Sequence, residues 1–165
     1  MTMQPCALEL LEADHRALLR LFAEYADLVR HEAPARQRQS LAERLCTELA
    51  IHHRLEEEIL YPAARLALRD EDLLDDNAQQ HEAIGDFVAQ ILATRASDTL
   101  YDARVMALRD HVQRHVLQER EQVFARLRRT AFDSRALGEQ IVRRKQELHT
   151  VADALREDAL ASALL

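Results

Sequence analysis

Glycine and proline are nearly missing from this chain: its 165 residues include two of the first and three of the second. Tight turns and strand ends draw on these two residue types, so there is little material here for hairpins. Aromatic residues amount to 4%, without tryptophan, which argues against a β-sandwich core. Two cysteines are too few for a disulfide framework. No stretch approaches the roughly 18 uninterrupted apolar residues of a membrane span, and Met1 to Leu8 has neither a charged start nor a long apolar run. There is no excess of positive charge either. Asp and Glu outnumber Lys and Arg by 29 to 22, a net charge of −7 that disfavours a phosphate-binding footprint. The short basic run Arg143-Arg144-Lys145 reads as a solvated helix face. The expectation is a soluble, cytoplasmic protein with neither nucleic acid nor membrane as partner.

What is present is Leu, Ala, Glu and Arg in abundance, with 48% hydrophobic residues, enough for one all-α domain with its own core. Pro5 can open a first helix of about 6–31, and His31-Glu32-Ala33-Pro34 breaks the chain before a second of about 35–69. Pro62 falls inside the second helix and predicts a kink after which the last turns bend away. Asp70-Glu71-Asp72 suits the start of a third helix, about 71–94. Ser97-Asp98 can cap a fourth, about 99–130, and Asp133-Ser134 a fifth. The pattern predicts an antiparallel up-down four-helix bundle over 1–132 and an amphipathic C-terminal helix over 133–165. That last helix carries Leu137, Ile141, Leu148 and Leu155 at near-heptad intervals, a stripe that can cover the bundle or pair with a second copy as a homodimer. Its His149 and Asp153 read as surface decoration. In antiparallel helices Cys6 and Cys46 fall about 20 Å apart at 1.5 Å per residue, far beyond disulfide reach, and are expected to be free thiols.

Six residues stand out on this framework: His15, the pair His52 and Glu56, His81, and the pair His115 and Glu119. In each HxxxE the histidine and glutamate are one turn apart on one side of a helix and can aim at a common point. His15 falls among Leu8, Leu11, Leu19 and Phe22, and His81 among Leu74, Ile84, Val88 and Leu92. His52 and Glu56 lie within the stripe of Leu41, Leu45, Ile59 and Ala63. Glu119 lies near Val105, Val112, Val116 and Val123, with His115 on the flank of that stripe. His53 and Glu57 repeat the spacing one residue later. A further turn of about 100° should carry them towards solvent, so the expectation leaves them out of the site and predicts little effect from His53→Ala.

Burying four histidines and two glutamates without a counter-ion costs several kcal/mol for each unpaired carboxylate. Bound metal removes that cost. Imidazole and carboxylate suit borderline first-row ions, and a helical arrangement with room for more than one ion favours iron over a closed tetrahedral zinc site. Ferritin-like di-iron bundles use Glu-x-x-His at i, i+3, whereas these six residues run His then Glu at i, i+4. Because divalent affinities do not themselves favour Fe(II), other divalent metals are expected to compete in a recombinant sample.

The order His, HxxxE, His, HxxxE resembles the hemerythrin family, specifically its HHE cation-binding branch, over roughly residues 8–130. The local wording agrees: Asp14-His15 on a leucine-rich helix, and His52-His53-Arg54-Leu55-Glu56-Glu57-Glu58-Ile59-Leu60-Tyr61-Pro62. The fourth helix carries a weaker copy, with Arg120 where the second has another glutamate and Ala125 where it has proline. The resemblance implies two irons, Glu56 and Glu119 as bridging carboxylates, the four histidines as terminal ligands, and O2, nitric oxide or peroxide as the small ligand.

Oxygen carriers of the family have a further histidine one turn after the third-helix ligand, where this chain has Gly85. The glycine either permits close helix packing or opens space beside the metals. Glu48 and His111, expected at the same level, are candidates for an additional ligand or for a hydrogen bond to a metal-bound water. Tyr25 and Tyr61 are other possible oxygen donors, with core or rim packing the favoured role for both. The functional expectation is a non-haem di-iron protein for sensing, carriage or iron buffering, with a peroxide-consuming di-iron enzyme as the rival.

Overall fold

The computed structural model describes residues 5–152 and 154, and these build a bundle of helical rods. The first rod is α1 (Ala7–Arg30). The second runs through α2 (Ala35–Leu55), a π-helical turn (Glu56–Leu60) and α3 (Tyr61–Leu68). The third is α4 (Glu71–Leu92), and the fourth passes through α5 (Tyr101–Gln118), a second π-helical turn (Glu119–Phe124) and α6 (Ala125–Leu127). The last is α7 (Ser134–Thr150). The helices α1, α2, α4 and α5 each pack on two neighbours and close a four-membered ring, while α7 lies outside it against α1 and α2.

The ends are set by local chemistry. Asp70 and Asp133 accept hydrogen bonds from the backbone N–H groups of Leu73 and Ala136, satisfying donors that α4 and α7 leave free at their starts. Ser97-Asp98 does not cap α5 directly. Asp98 instead closes a tight turn by accepting from Leu100 N–H, which places the N-cap at Leu100.

Two apolar clusters fill the bundle. One gathers Phe22, Tyr25, Leu45, Leu49, Val88, Tyr101, Val105 and Val112 at one end. The other gathers Leu8, Leu11, Leu55, Leu60, Tyr61, Leu74, Phe124 and Leu127 at the opposite end, together with Ile141 and Leu148 of α7. These two residues of the α7 stripe are therefore buried within the chain, while Leu155 and Asp153 lie outside the described residues. Gly138 lets α7 approach α1: a Cβ there would run into the Pro5 carbonyl oxygen. Cys46 is in the first cluster and Cys6 packs against the second, both as free thiols.

The segment after Pro62 does not bend away. Tyr61 and Ala64 are buried, and α3 packs on α4 and α6. The distortion is the π turn, and the proline does not determine it, since the fourth rod has an equivalent turn with Ala125 in the matching position. Both π turns begin on the glutamate of an HxxxE pair. Single π turns of this kind cluster at functional sites, where one extra residue re-aims the side chains around it.

Candidate metal centre

Between the two apolar clusters lies a layer of buried polar side chains: His15 from α1, His52, His53 and Glu56 from the second rod, His81 from α4, and His115 and Glu119 from the fourth. Their donor atoms fall into two groups that share one carboxylate. His15, His52, Glu56 and Glu119 make one, and His53, Glu56, His81 and His115 make the other, each with one donor atom per residue within 4.8 Å of the rest.

Glu56 spans the groups. Its Oε1 is 2.8 Å from His52 Nε2 and 3.4 Å from His15 Nε2, and its Oε2 is 3.0 Å from His81 Nε2. Glu119 Oε2 is 3.3 Å from His15 Nε2 and 3.6 Å from His115 Nε2. Five of these buried atoms, His15 Nε2, His52 Nε2, both oxygens of Glu56 and Glu119 Oε2, have no hydrogen-bond partner. Buried polar atoms are nearly always satisfied, so five orphans converging on one another fit a cationic occupant.

The outer edges of the rings are, by contrast, anchored. His52 Nδ1 donates to Asp14 Oδ2 (3.2 Å), His81 Nδ1 to Glu57 Oε1 (3.0 Å) and His115 Nδ1 to Gln80 Oε1 (2.7 Å). Gln80 is itself held by Gln118 and Asp76. Each anchor fixes the tautomer and turns Nε2 inwards, an arrangement typical of histidines that bind metal.

The protonation pattern of the metal-free site follows from this crowding. Burial opposes charge on His52 and His81, but Glu56 with Asp14, and Glu56 with Glu57, outweigh it and push these groups up to about 10 and about 9. Burial and the neighbouring His81 push His115 down to about 3 and His53 well below the ordinary imidazole value. Burial and the Glu56 charge push Glu119 up to about 7. Glu56 is also pushed up by burial, yet the surrounding histidines hold it well below the usual carboxylate range. The free site therefore carries protons on His52 and His81 where a metal would compete for the nitrogens.

All six residues singled out in the sequence meet here. His53 meets them too, against expectation. The residue is 8% exposed, and its ring stacks on His81 with centroids 3.7 Å apart. The ring of helices explains the difference: α2 is flanked by α1 and by α4, so His52 faces His15 on one side while His53, about 100° further round, faces His81 on the other. Only Glu57 of the rival pair stays outside, half exposed, where it holds His81. Around Gly85 there is open space, since a Cβ would meet nothing within 4 Å. A cavity of about 330 Å³ lined by Leu49, His53, Ile84, Gly85 and Val88 opens beside it. Glu48 points the other way and pairs with His149 of α7 (3.1 Å). His111 packs its ring on Phe87, outside both donor groups.

Two further residues line the site, Tyr61, for which packing was the favoured expectation, and Asn77, which the sequence did not single out. Tyr61, just after the first π turn, donates its hydroxyl proton to Glu119 Oε1 (3.1 Å), 3.1 Å from His81 Nε2, and burial with the two glutamates raises its phenol well above the ordinary value. Asn77, one turn before His81, is fully buried with its Oδ1 unpartnered. A Tyr in a Leu-Tyr-Pro run and an Asn on a helix carry no periodic signal that separates them from packing residues.

The sequence profile of the hemerythrin HHE cation-binding domain matches residues 6–127. The chain belongs to that family. Among solved structures it is similar to a hemerythrin HHE cation-binding domain-containing protein, the Rv2633c homolog from Mycobacterium kansasii, with a TM-score of 0.78 and 22% sequence identity over 96% of this chain and 99% of that one. That likeness carries the fold, α7 included. No curated protein matches the sequence. The buried His/Glu clusters fit the cation binding by which the family is described. None of the helices described is long and apolar enough to cross a membrane.

Proposed function

We propose that this HHE protein holds two iron ions, one in each donor group, and uses them to bind a small oxygen or nitrogen species, O2, nitric oxide or peroxide, for sensing, carriage or iron buffering. The observation that carries the reading is the pair of four-residue donor groups sharing Glu56. Seven donors, five of them imidazoles, suit first-row ions that prefer mixed nitrogen and oxygen ligation. Iron bound there would supply reversible redox chemistry and open positions for a small ligand.

The chain's own residues do the rest. His15, His52, His53, His81 and His115 present nitrogen, Glu56 presents carboxylate oxygen to both groups, and Glu119 belongs to the group of His15 and His52 with its Oε2 also 3.6 Å from His115 Nε2 of the other. The apolar clusters on either side exclude water. Tyr61 holds a proton on its hydroxyl beside Glu119 and can donate it to a ligand at that edge of the site. We assign the protein to the cytoplasm and the bundle of residues 1–132 to the metal-binding unit. Peroxide consumption is the second reading, favoured by that buried phenol together with the cavity at Gly85, which gives a small substrate a way in.

Anaerobic reconstitution with Fe(II), followed by metal analysis and Mössbauer spectra before and after O2, tests the proposal. About two irons per chain in a coupled pair is the expected result. One iron, or two magnetically independent ions, overturns it. Steady-state peroxide turnover compared with reversible O2 spectra separates the two readings.

A further inference from the structure

Helix α7 begins beyond the residues that match the family profile, yet it reaches the metal layer. It lies along α1 and α2 and roofs a cavity of about 310 Å³ that is lined by Asp14, Arg44, Glu48, His52, Lys145 and His149. At the floor of that cavity His52 gives its Nδ1 proton to Asp14 Oδ2. The other carboxylate oxygen, Asp14 Oδ1, is taken by Lys145 Nζ. A continuous line thus runs from α7 through Lys145, Asp14 and His52 to Glu56, the carboxylate shared by both donor groups. Asp14 is 14% exposed and His52 2%, whereas Lys145 is at the rim.

We propose that Lys145 is a positioning residue of the metal centre: it clamps Asp14 against His52, fixing the tautomer and ring plane in which His52 offers Nε2, so that α7 tunes how tightly metal is held. This role presupposes the bound metal proposed above. A carboxylate behind a metal-binding imidazole typically changes metal affinity by about 10- to 100-fold, and a carboxylate free to rotate loses that effect. Lys145 removes the freedom by engaging the oxygen that His52 does not use. Arg144, its neighbour on α7, ties the same helix to the bundle through two bonds to Glu58 (2.7 and 3.1 Å) without touching Asp14. It separates docking of the helix from the clamp.

The test is Co(II) titration of the full chain, read by the visible ligand-field bands and the dissociation constant, with circular dichroism to verify folding. Lys145→Met should weaken binding about tenfold or more and shift the bands, and Lys145→Arg should restore both. Arg144→Met should lower the melting temperature but leave bands and affinity unchanged. Asp14→Ala should weaken binding further, and adding Lys145→Met to it should cost nothing more, since the two act in series. Wild-type bands and affinity in Lys145→Met overturn the clamp, and so does an equal loss in Arg144→Met, which would assign the effect to helix docking alone. Failure of the wild-type chain to take up Co(II) at all would instead remove the metal-binding reading itself.

Discussion

His53 lies face to face with His81 across the α2–α4 boundary, the two imidazoles 3.7 Å apart at their centroids and within 5° of parallel. His81 is the third-helix histidine, and the position one turn after it, where oxygen carriers of the family place another imidazole, is Gly85. The open space over Gly85 and the ring of His53 beside it belong to one cavity. His53 thus places an imidazole from α2 beside the position at which α4 has none.

His53→Ala should therefore remove about one of two metal equivalents, leaving the group of His15, His52, Glu56 and Glu119 occupied. Gly85→His in that background should restore the lost equivalent from the facing helix. Metal analysis after dialysis measures both. Two tightly held ions in the single variant would return His53 to the role of a packing residue.

Glu56→Ala should do more damage than any histidine substitution, because both donor groups draw on this carboxylate. The expected loss exceeds one metal equivalent, with the coupled-pair spectrum gone. Glu119→Ala should behave similarly, since its Oε2 lies between His15 and His115. Metal content together with Mössbauer spectra checks the pair, and retention of a coupled pair in either variant rules out bridging by that residue.

The fold and most of the site were legible because both rest on periodicity. Apolar stripes at 3.6-residue spacing marked the rods, and His15, His81 and the two HxxxE pairs sat on those stripes. What escaped detection depends on packing between rods. His53 lies 100° from His52, and a single-helix projection sends it to solvent; only the presence of α4 on that flank makes the position internal. Pro62 suggested a departure from the bundle, yet the accommodating π turn keeps α3 packed, and the same turn recurs without proline at Glu119. Glu48 was placed level with Gly85 by counting residues along antiparallel helices, a procedure blind to which side of α2 it faces. Tyr61 and Asp14 belong to the site through contacts across helices, which no spacing within one helix encodes.

Protonation should make the metal-free protein weaker in base. His52 and His81 are raised above the unfolded imidazole value of 6.5 to about 10 and about 9, so the stability they contribute is complete below about pH 6.5 and is lost as pH climbs through 9 and 10. Glu119, raised from 4.5 to about 7, acts in the same direction: its neutral form is favoured in the fold, and stability drops as it ionises between those values. His115, lowered to about 3, works the other way below pH 6.5, where the unfolded chain takes up its proton first. Denaturant melts of metal-free protein from pH 6 to 10 should show a steady decline. Metal loading at pH 7 should also expel at least two protons per chain, from His52 and His81 with a further share from the partly protonated Glu119, measurable by calorimetry in buffers of different ionisation enthalpy; uptake with no net release contradicts the assignment.

Removing the Glu119 charge should separate stability from function. The side chain is fully buried near the Glu56 charge, and burial with that charge disfavours ionisation. Glu119→Gln keeps the size and abolishes the penalty, so at pH 8 the metal-free variant should be more stable than wild type by on the order of 1–3 kcal/mol. At pH 5, where Glu119 is already largely protonated, the difference should shrink towards zero. Metal content should fall nonetheless, since an amide cannot bridge two cations as a carboxylate does. This is the stability–function conflict expected where like charges are kept together for a ligand's sake, and equal melting temperatures for the two proteins at pH 8 would mean that the fold tolerates the Glu56–Glu119 pair without strain.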